Sequence, residues 1–257
     1  MRFINTRPAD RAEPLTQQLQ QLGHEVLQLP LLVLKPIALH DHLRSQLMRL
    51  NQAQIVVVVS PTAAYLGLQY LQVLNIPVAT LTQLKWIAVG EKTAKVLAVA
   101  GIDACVPTVE TSEGMLQLPL LQQSGLNMVA FWRGEGGRQF MMEQLRAQGV
   151  QIFNMLLYQR ALPQDALMHA HSISQQLHQE VNQQTFVCIS SEASWKNWQY
   201  LCAQQNWSLS HFTYLPLGQR LADLLSTDLT HIATTIYPIF DLKPATIHTA
   251  MVQGQRT

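Results

Sequence analysis

The feature that most constrains this chain is a pattern that it spells twice. Arg7, Leu19 and Gly23 recur as Arg133, Leu145 and Gly149, each 126 residues later. In the first copy, Thr6-Arg7-Pro8 precedes an apolar series through Leu15, Leu19 and Leu22, then Gly23 and the strand-like run Glu25 to Leu32. In the second, Trp132-Arg133-Gly134 precedes Phe140, Met141 and Leu145, then Gly149 and the run Gln151 to Tyr158. Apolar residues three and four apart predict helices, and each glycine supplies the left-handed residue that ends one. A chain that repeats strand, turn, helix, glycine and strand folds most simply as duplicated α/β units.

The pattern extends further. Ile55 to Val59 runs into Ser60-Pro61-Thr62, and Phe186 to Ile189 runs into Ser190-Ser191. Trp86 to Val89 runs into Gly90-Glu91-Lys92-Thr93, and Tyr214 to Leu217 runs into Gly218-Gln219-Arg220-Leu221. Serine at the N-cap and proline at the first helical position make Ser60-Pro61 a strong helix start. Short continuous apolar strands between helices belong to parallel sheets buried on both faces. The expected fold class is therefore α/β, with two flavodoxin-like parallel-sheet lobes related by an internal repeat and joined by a two-stranded linker. Pro30 to Pro36 and Leu156 to Pro163 read as paired exits between the lobes. On that reading residues 1–34 plus 162–257 form one discontinuous lobe, 38–155 form the other, and about 35–37 and 156–161 link them. A simple half-and-half split is the alternative.

Composition narrows the function. The chain carries 17 basic and 16 acidic residues, a net charge of +1, and no long basic tract, which argues against a nucleic-acid groove. Its longest aliphatic run, Ile55 to Val59, is far short of the roughly 20 residues a bilayer needs. The N-terminus enters a strand at once, with no signal-peptide pattern, so a cytoplasmic protein is expected. Cys105, Cys188 and Cys202 are odd in number and unpaired by spacing, which fits a reducing compartment. No cluster of histidines or cysteines suggests a metal. Gly134-Glu135-Gly136-Gly137 lacks the third glycine of a dinucleotide loop, where Gln139 stands. Neither a phosphate-binding loop nor a Gly-x-Ser-x-Gly elbow occurs.

In open α/β sheets, ligands lie beyond the carboxyl ends of the strands. That brings forward Thr6-Arg7-Pro8, Ser60-Pro61-Thr62, Gly90 to Thr93, Ser112-Glu113-Gly114, Arg133 to Arg138, Ser190-Ser191 and Gly218 to Arg220. Most of these loops open helices, whose free N–H groups and dipole attract anions. The plain reading of each Ser or Thr is a helix cap. The set as a whole suits a ligand carrying several carboxylates or phosphates, taken up in a cleft between the lobes.

The assembled motifs resemble the uroporphyrinogen-III synthase family. They are Thr6-Arg7-Pro8, Leu22-Gly23-His24-Glu25-Val26, Leu29-Pro30-Leu31, Ser60-Pro61-Thr62-Ala63, Ala88 to Ala94, Thr111 to Leu116, Arg133 to Arg138, Tyr158-Gln159-Arg160 and Ser190. They span nearly the whole chain in order. The resemblance implies a cofactor-independent cyclising lyase of tetrapyrrole biosynthesis. It would convert linear hydroxymethylbilane to uroporphyrinogen III with loss of water and inversion of the last pyrrole ring. Because the pyrrole nitrogen itself expels the hydroxyl group, such an enzyme chiefly positions a flexible polycarboxylate and assists the leaving group.

The resemblance further implies Tyr158 as the assisting acid. It implies Thr93, Ser60 and Ser190 as residues near the substrate, and the strand-end loops add Arg7, Thr62, Gly90, Ser112, Arg138, Gly218 and Arg220 as expected substrate contacts. It also implies a monomer, with the upstream hydroxymethylbilane synthase as the expected protein partner and with neither nucleic acid nor membrane. One departure stands out: Leu221 replaces the threonine expected in the loop opened by Gly218, leaving Arg220 or backbone amides to bind there. A non-catalytic two-lobed sensor would share the fold, but the sequence shows no output domain.

Overall fold

A computed structural model describes residues 1–136, 139–179 and 183–255. In chain order, the first elements are β1 (Arg2–Asn5), α1 (Ala9–Gln21), β2 (Glu25–Gln28), β3 (Val33–Pro36), α2 (Asp41–Met48), β4 (Ile55–Val58) and α3 (Pro61–Val73). Next come β5 (Lys85–Ala88), α4 (Glu91–Val99), β6 (Ala104–Cys105), α5 (Ser112–Leu116), α6 (Pro119–Gln122), β7 (Met128–Gly134), α7 (Phe140–Ala147) and β8 (Gln151–Ala161). The chain ends with α8 (Ala166–Gln179), β9 (Thr185–Ile189), α9 (Glu192–Gln205), β10 (Phe212–Pro216), α10 (Gln219–Asp228), β11 (Thr235–Ile236) and α11 (Pro244–Gly254).

These elements separate into two compact units, residues 1–33 with 161–257, and residues 34–160. The first unit holds a five-stranded sheet in the order β11-β10-β9-β1-β2. All of its pairings are parallel. Starting from β1, the chain adds β2 on one side, then β9, β10 and β11 in succession on the other. This is the doubly wound order 2-1-3-4-5, and its switch point lies between β1 and β9.

The second unit holds a six-stranded sheet in the order β3-β8-β7-β4-β5-β6. Setting β3 aside, the same winding appears with a different starting point. β7 and β8 take the places of β1 and β2, while β4, β5 and β6 come earlier in the chain. The switch point lies between β7 and β4. Both sheets set the corresponding pair in the same register, Arg2↔Glu25 in one and Met128↔Gln151 in the other.

Residue type accounts for the central strands. β4 is Ile-Val-Val-Val with all four side chains buried, so its β-branched residues pack on both sheet faces. Val56 and Val58 point into a cluster with Leu97, Trp86 and Trp132; Ile55 and Val57 point into another with Phe131, Met141 and Leu145. The first unit divides likewise. Ile4 and Val187 face Trp195, Trp198 and Leu225, whereas Phe3 and Phe186 face Leu19, Ile247 and Met251. Gly23 and Gly149 follow α1 and α7 with φ of 81° and 84°, the left-handed conformation their sequence positions predict. Each unit thus has its own two-sided core, and the loops at the strand carboxyl ends are left to do chemistry.

Candidate functional site

In the 34–160 unit, a cavity of about 400 Å³ opens beyond the carboxyl ends of β4, β5 and β7 and beside β8. Its apolar wall comes from Phe131, Met115, Met141 and Met142, and its polar wall from Ser60, Thr111, Ser112, Glu110, Arg133, Tyr158 and Arg160. The cavity sits at the switch point, where β4 and β7 send their chains to opposite sides and part the loops.

Ser60 is the N-cap of α3. Its backbone is extended and its Oγ accepts the Ala63 N–H at 3.0 Å. The same Oγ lies 3.0 Å from the Tyr158 hydroxyl. Two hydroxyl protons serve one mutual bond, so one O–H of the pair remains to donate to a ligand. Tyr158 is only 4 % exposed, and its ring lies against Gly134, where a Cβ would overlap the ring carbons. A register shift at Arg133/Gly134 places Gly134 opposite Tyr158, and the Glu135 N–H bonds the Tyr158 carbonyl at 2.7 Å. The tyrosine is therefore fixed by packing, with its hydroxyl at the cavity.

Two guanidinium groups flank it. Arg133 is 5 % exposed; its Nη2 donates to the Gly136 carbonyl at 2.7 Å and its Nε to the Gly134 carbonyl at 3.3 Å. Burial pulls its pKa below the ordinary arginine value, opposed by Tyr158 and helped by Arg160. Arg160 is exposed, donates to the Glu135 carbonyl at 3.0 Å, and holds its guanidinium carbon 6.0 Å from the Tyr158 ring centre. At the rim, Thr111 caps α5 by accepting the Gly114 N–H, leaving Ser112 as the first helical residue. Glu110 bonds the Glu91 N–H at the start of α4, directly above Gly90.

In the other unit, Arg7 follows β1 and Ser190 follows β9, so both stand at that sheet's switch point. The Thr6 hydroxyl donates to the Cys188 carbonyl and ties the two strands together. The half-buried Arg7 guanidinium makes no hydrogen bond or ion pair among the described residues, and neither does the Ser190 hydroxyl. The N-cap of α9 is Ser191, which forms a reciprocal capping box with Ser194. Gly218, with φ of 84°, opens α10 at the end of neighbouring β10. Burial pushes the Cys188 thiol up to about 12, which makes it inert packing.

The structure thus gathers Ser60, Ser112 and Tyr158 on one cavity, and Gly90 lies against Glu110 of its lining without lining it itself. Arg7, Ser190 and Gly218 follow the neighbouring strands β1, β9 and β10 at the carboxyl end of the other sheet. Thr62 and Thr93 do not line the cavity, and Thr93 is only 1 % exposed inside α4. Arg220 is exposed and lies 3.9 Å from Glu192. Leu221 is buried with Leu225 and Leu229, so this position faces the core and not the loop surface. Arg138 lies outside the described residues. Glu110 lay in none of the loops or motifs read from sequence, whereas Arg133 and Thr111 lay in them without being named as contacts. For Arg133 a signal existed, since the repeat matches it to Arg7.

Comparison with known proteins agrees with this architecture. The family model for uroporphyrinogen-III synthase HemD matches residues 13–234. Uroporphyrinogen-III synthase of Escherichia coli K12 is 27% identical over 229 residues, covering 87% of this chain and 90% of that protein. The Salmonella typhimurium enzyme is 32% identical over 164 residues, covering 62% and 65%. Among solved structures, a mutant uroporphyrinogen III synthase from the extreme thermophile Thermus thermophilus superposes with a TM-score of 0.62 at 15% identity, covering both chains fully. The Helicobacter pylori 26695 uroporphyrinogen-III synthetase gives 0.58 at 15% identity, covering 98% of each chain.

Proposed function

The chain belongs to the uroporphyrinogen-III synthase family, and from that membership we propose how its own residues serve the reaction. The activity is that of a cyclising lyase in tetrapyrrole biosynthesis. The substrate is hydroxymethylbilane, which loses water and closes to uroporphyrinogen III with its last ring inverted.

The observation that carries the assignment of roles is the Ser60–Tyr158 hydroxyl pair on a cavity lined by apolar side chains, by Arg133 and Arg160, and by Glu110. The pyrrole nitrogen lone pair expels the substrate hydroxyl, and Tyr158 gives it a proton so that it leaves as water. Ser60 keeps the phenol oriented and can share the charge left on its oxygen. The substituted carbon of the last ring then attacks the electrophilic carbon, and the spiro intermediate opens and recloses. The proton released from carbon at final closure returns to the tyrosine, so the site ends as it began.

Met115, Phe131, Met141 and Met142 offer a soft apolar surface for a pyrrole ring. Arg133 and Arg160 supply positive charge near the reacting end. Within the other unit, Arg7, Ser190 and the Gly218 loop are the groups suited to a carboxylate. The protein works in the cytoplasm as a monomer and takes its substrate from hydroxymethylbilane synthase. No helix among the described residues is long and apolar enough to cross a membrane, and each sheet is covered on both faces by its own unit.

The test is turnover. The purified chain is incubated with hydroxymethylbilane, and the products are oxidised and separated as isomers. Isomer III should dominate over the isomer I that forms unaided; isomer I alone would overturn the assignment.

A further inference from the structure

The N-terminus of α4 already holds a carboxylate. Glu110 lies on the irregular segment between β6 and α5, and its Oε1 accepts the Glu91 backbone N–H at 3.1 Å. Gly90 has no side chain, and a Cβ there would collide with the carboxylate carbon and both its oxygens. The same Glu110 lines the cavity that contains Ser60 and Tyr158. An acidic group of this chain therefore lines a cavity assigned to a polycarboxylate while it sits on a backbone amide.

Its hold is weak. The carboxylate is exposed, and the Glu91 N–H is its one hydrogen-bond partner among the described residues. The segment that carries it has no regular structure and is closed by a single turn, from the Thr111 N–H to the Val109 carbonyl at 2.7 Å, with Val109 exposed. An acetate or propionate arm presents the same chemical group to the same amide. It can also reach the adjoining hydroxyls of Thr111 and Ser112, which Glu110 does not bond. Gly90 fits both occupants, because any side chain there would exclude a carboxylate of either origin.

We propose that Glu110 is a specificity-determining residue, a resident carboxylate that occupies the Glu91 amide in the free protein and yields it to one carboxylate arm of the substrate. The arm that enters must outcompete it, so Glu110 sets which substrate arm lodges at α4 and how tightly. The proposal rests on the synthase reading of the cavity.

Glu110→Gln keeps the shape and removes the charge; Glu110→Ala empties the position. With hydroxymethylbilane as substrate, KM should fall about fivefold in Glu110→Ala and less in Glu110→Gln, with kcat nearly unchanged. A fivefold change is about 1 kcal/mol, the scale of one net hydrogen bond. Unchanged or raised KM with lowered thermal stability would make Glu110 a structural brace and overturn the proposal. A collapse of kcat would make it part of the chemistry and also overturn it. A fall in KM that vanishes at high salt would trace to general repulsion between exposed charges, which salt screens, and would likewise overturn it. Direct binding of uroporphyrin III, read by tryptophan quenching in the wild type and both variants, reports the same competition without turnover. Loss of isomer III formation in the wild type would therefore count against the synthase reading and not against the seat.

Discussion

Tyr158→Phe isolates one hydroxyl group. The ring is 4 % exposed and packs against Gly134, and phenylalanine fills the same space, so burial is conserved. What disappears is the bond to Ser60, 3.0 Å long. Ser60 still accepts the Ala63 N–H, so no buried polar atom is stranded and the helix cap survives. The net cost to folding is then about 1 kcal/mol or less, which in a chain of this size lowers Tm by about 2–4 °C. The effect on rate should be larger. A positioned general acid contributes typically 10²–10⁴-fold. Here the pyrrole nitrogen already drives ionisation, so the loss in kcat should fall at or below the lower end, on the order of 10- to 100-fold. The product should remain mostly isomer III, because ring inversion is imposed by positioning, which the phenyl ring and arginines retain. The assay is initial rate by isomer separation, paired with thermal denaturation. Wild-type turnover in Tyr158→Phe would leave this tyrosine as packing and refute the assignment. A large fall in Tm would show that its hydroxyl holds the fold.

Ser190→Ala and Ser191→Ala should part company. The first should raise KM by up to about fivefold with Tm unchanged, whereas the second should cost about 1 kcal/mol of stability through its lost cap with little change in KM; identical behaviour of the two variants would count against the distinction. Gly134→Ala drives a methyl group into the Tyr158 ring, so kcat should fall more than in Tyr158→Phe, and wild-type kinetics would contradict the tight packing. Burial, then His248 and the N-terminal amine, lower the pKa of His24, whose Nε2 lies 2.8 Å from His248 Nδ1. Above an ordinary histidine pKa of about 6.5 both states are neutral there and the residue adds no pH dependence. As pH falls below that value the unfolded chain gains a proton that the folded chain resists, so stability should decline until the folded pKa is passed. Denaturation midpoints of the wild type and His24→Phe between neutral and mildly acidic pH check this, and parallel slopes would refute it.

The α/β class was legible because local and global signals agree. The Ile55 to Val59 run can be buried only in a sheet covered on both faces, and Ser60-Pro61 both terminates it and starts α3. Cap identity was less legible. Ser190 and Ser191 are chemically identical neighbours, and the choice falls on Ser191 because Ser194 stands three residues on and returns a hydrogen bond, while Ala193 cannot do so for Ser190. At the site, Tyr158 and Ser60 were visible only as separate motifs. Their 3.0 Å contact depends on β7 lying between β4 and β8, a fact of strand order and not of spacing. Glu110 carried no local signal at all, since its partner amide is 19 positions away on another element. The position of Leu221, read as a lost hydroxyl contact, is a core position, where an aliphatic side chain packs with Leu225.

A ribosome delivers this chain in an order that one of its sheets cannot use. β1, flanked by β2 and β9, pairs with a strand that begins only at Thr185. At about 5–20 residues per second, Phe3 waits roughly 10–40 s for Phe186 to be made. Residues 34–160 contain every strand of the other sheet except the first residue of β3 and the last of β8, so that unit can condense while still tethered. The opening 33 residues meanwhile present a βαβ fragment whose β1 edge, later covered by β9, is still open to solvent. Synthesis thus imposes an order in which the middle of the polypeptide folds first and its two ends meet last. Substitutions that expose Phe3, Ile4 or Val187 would accordingly act on the yield of nascent chains before they act on the finished enzyme.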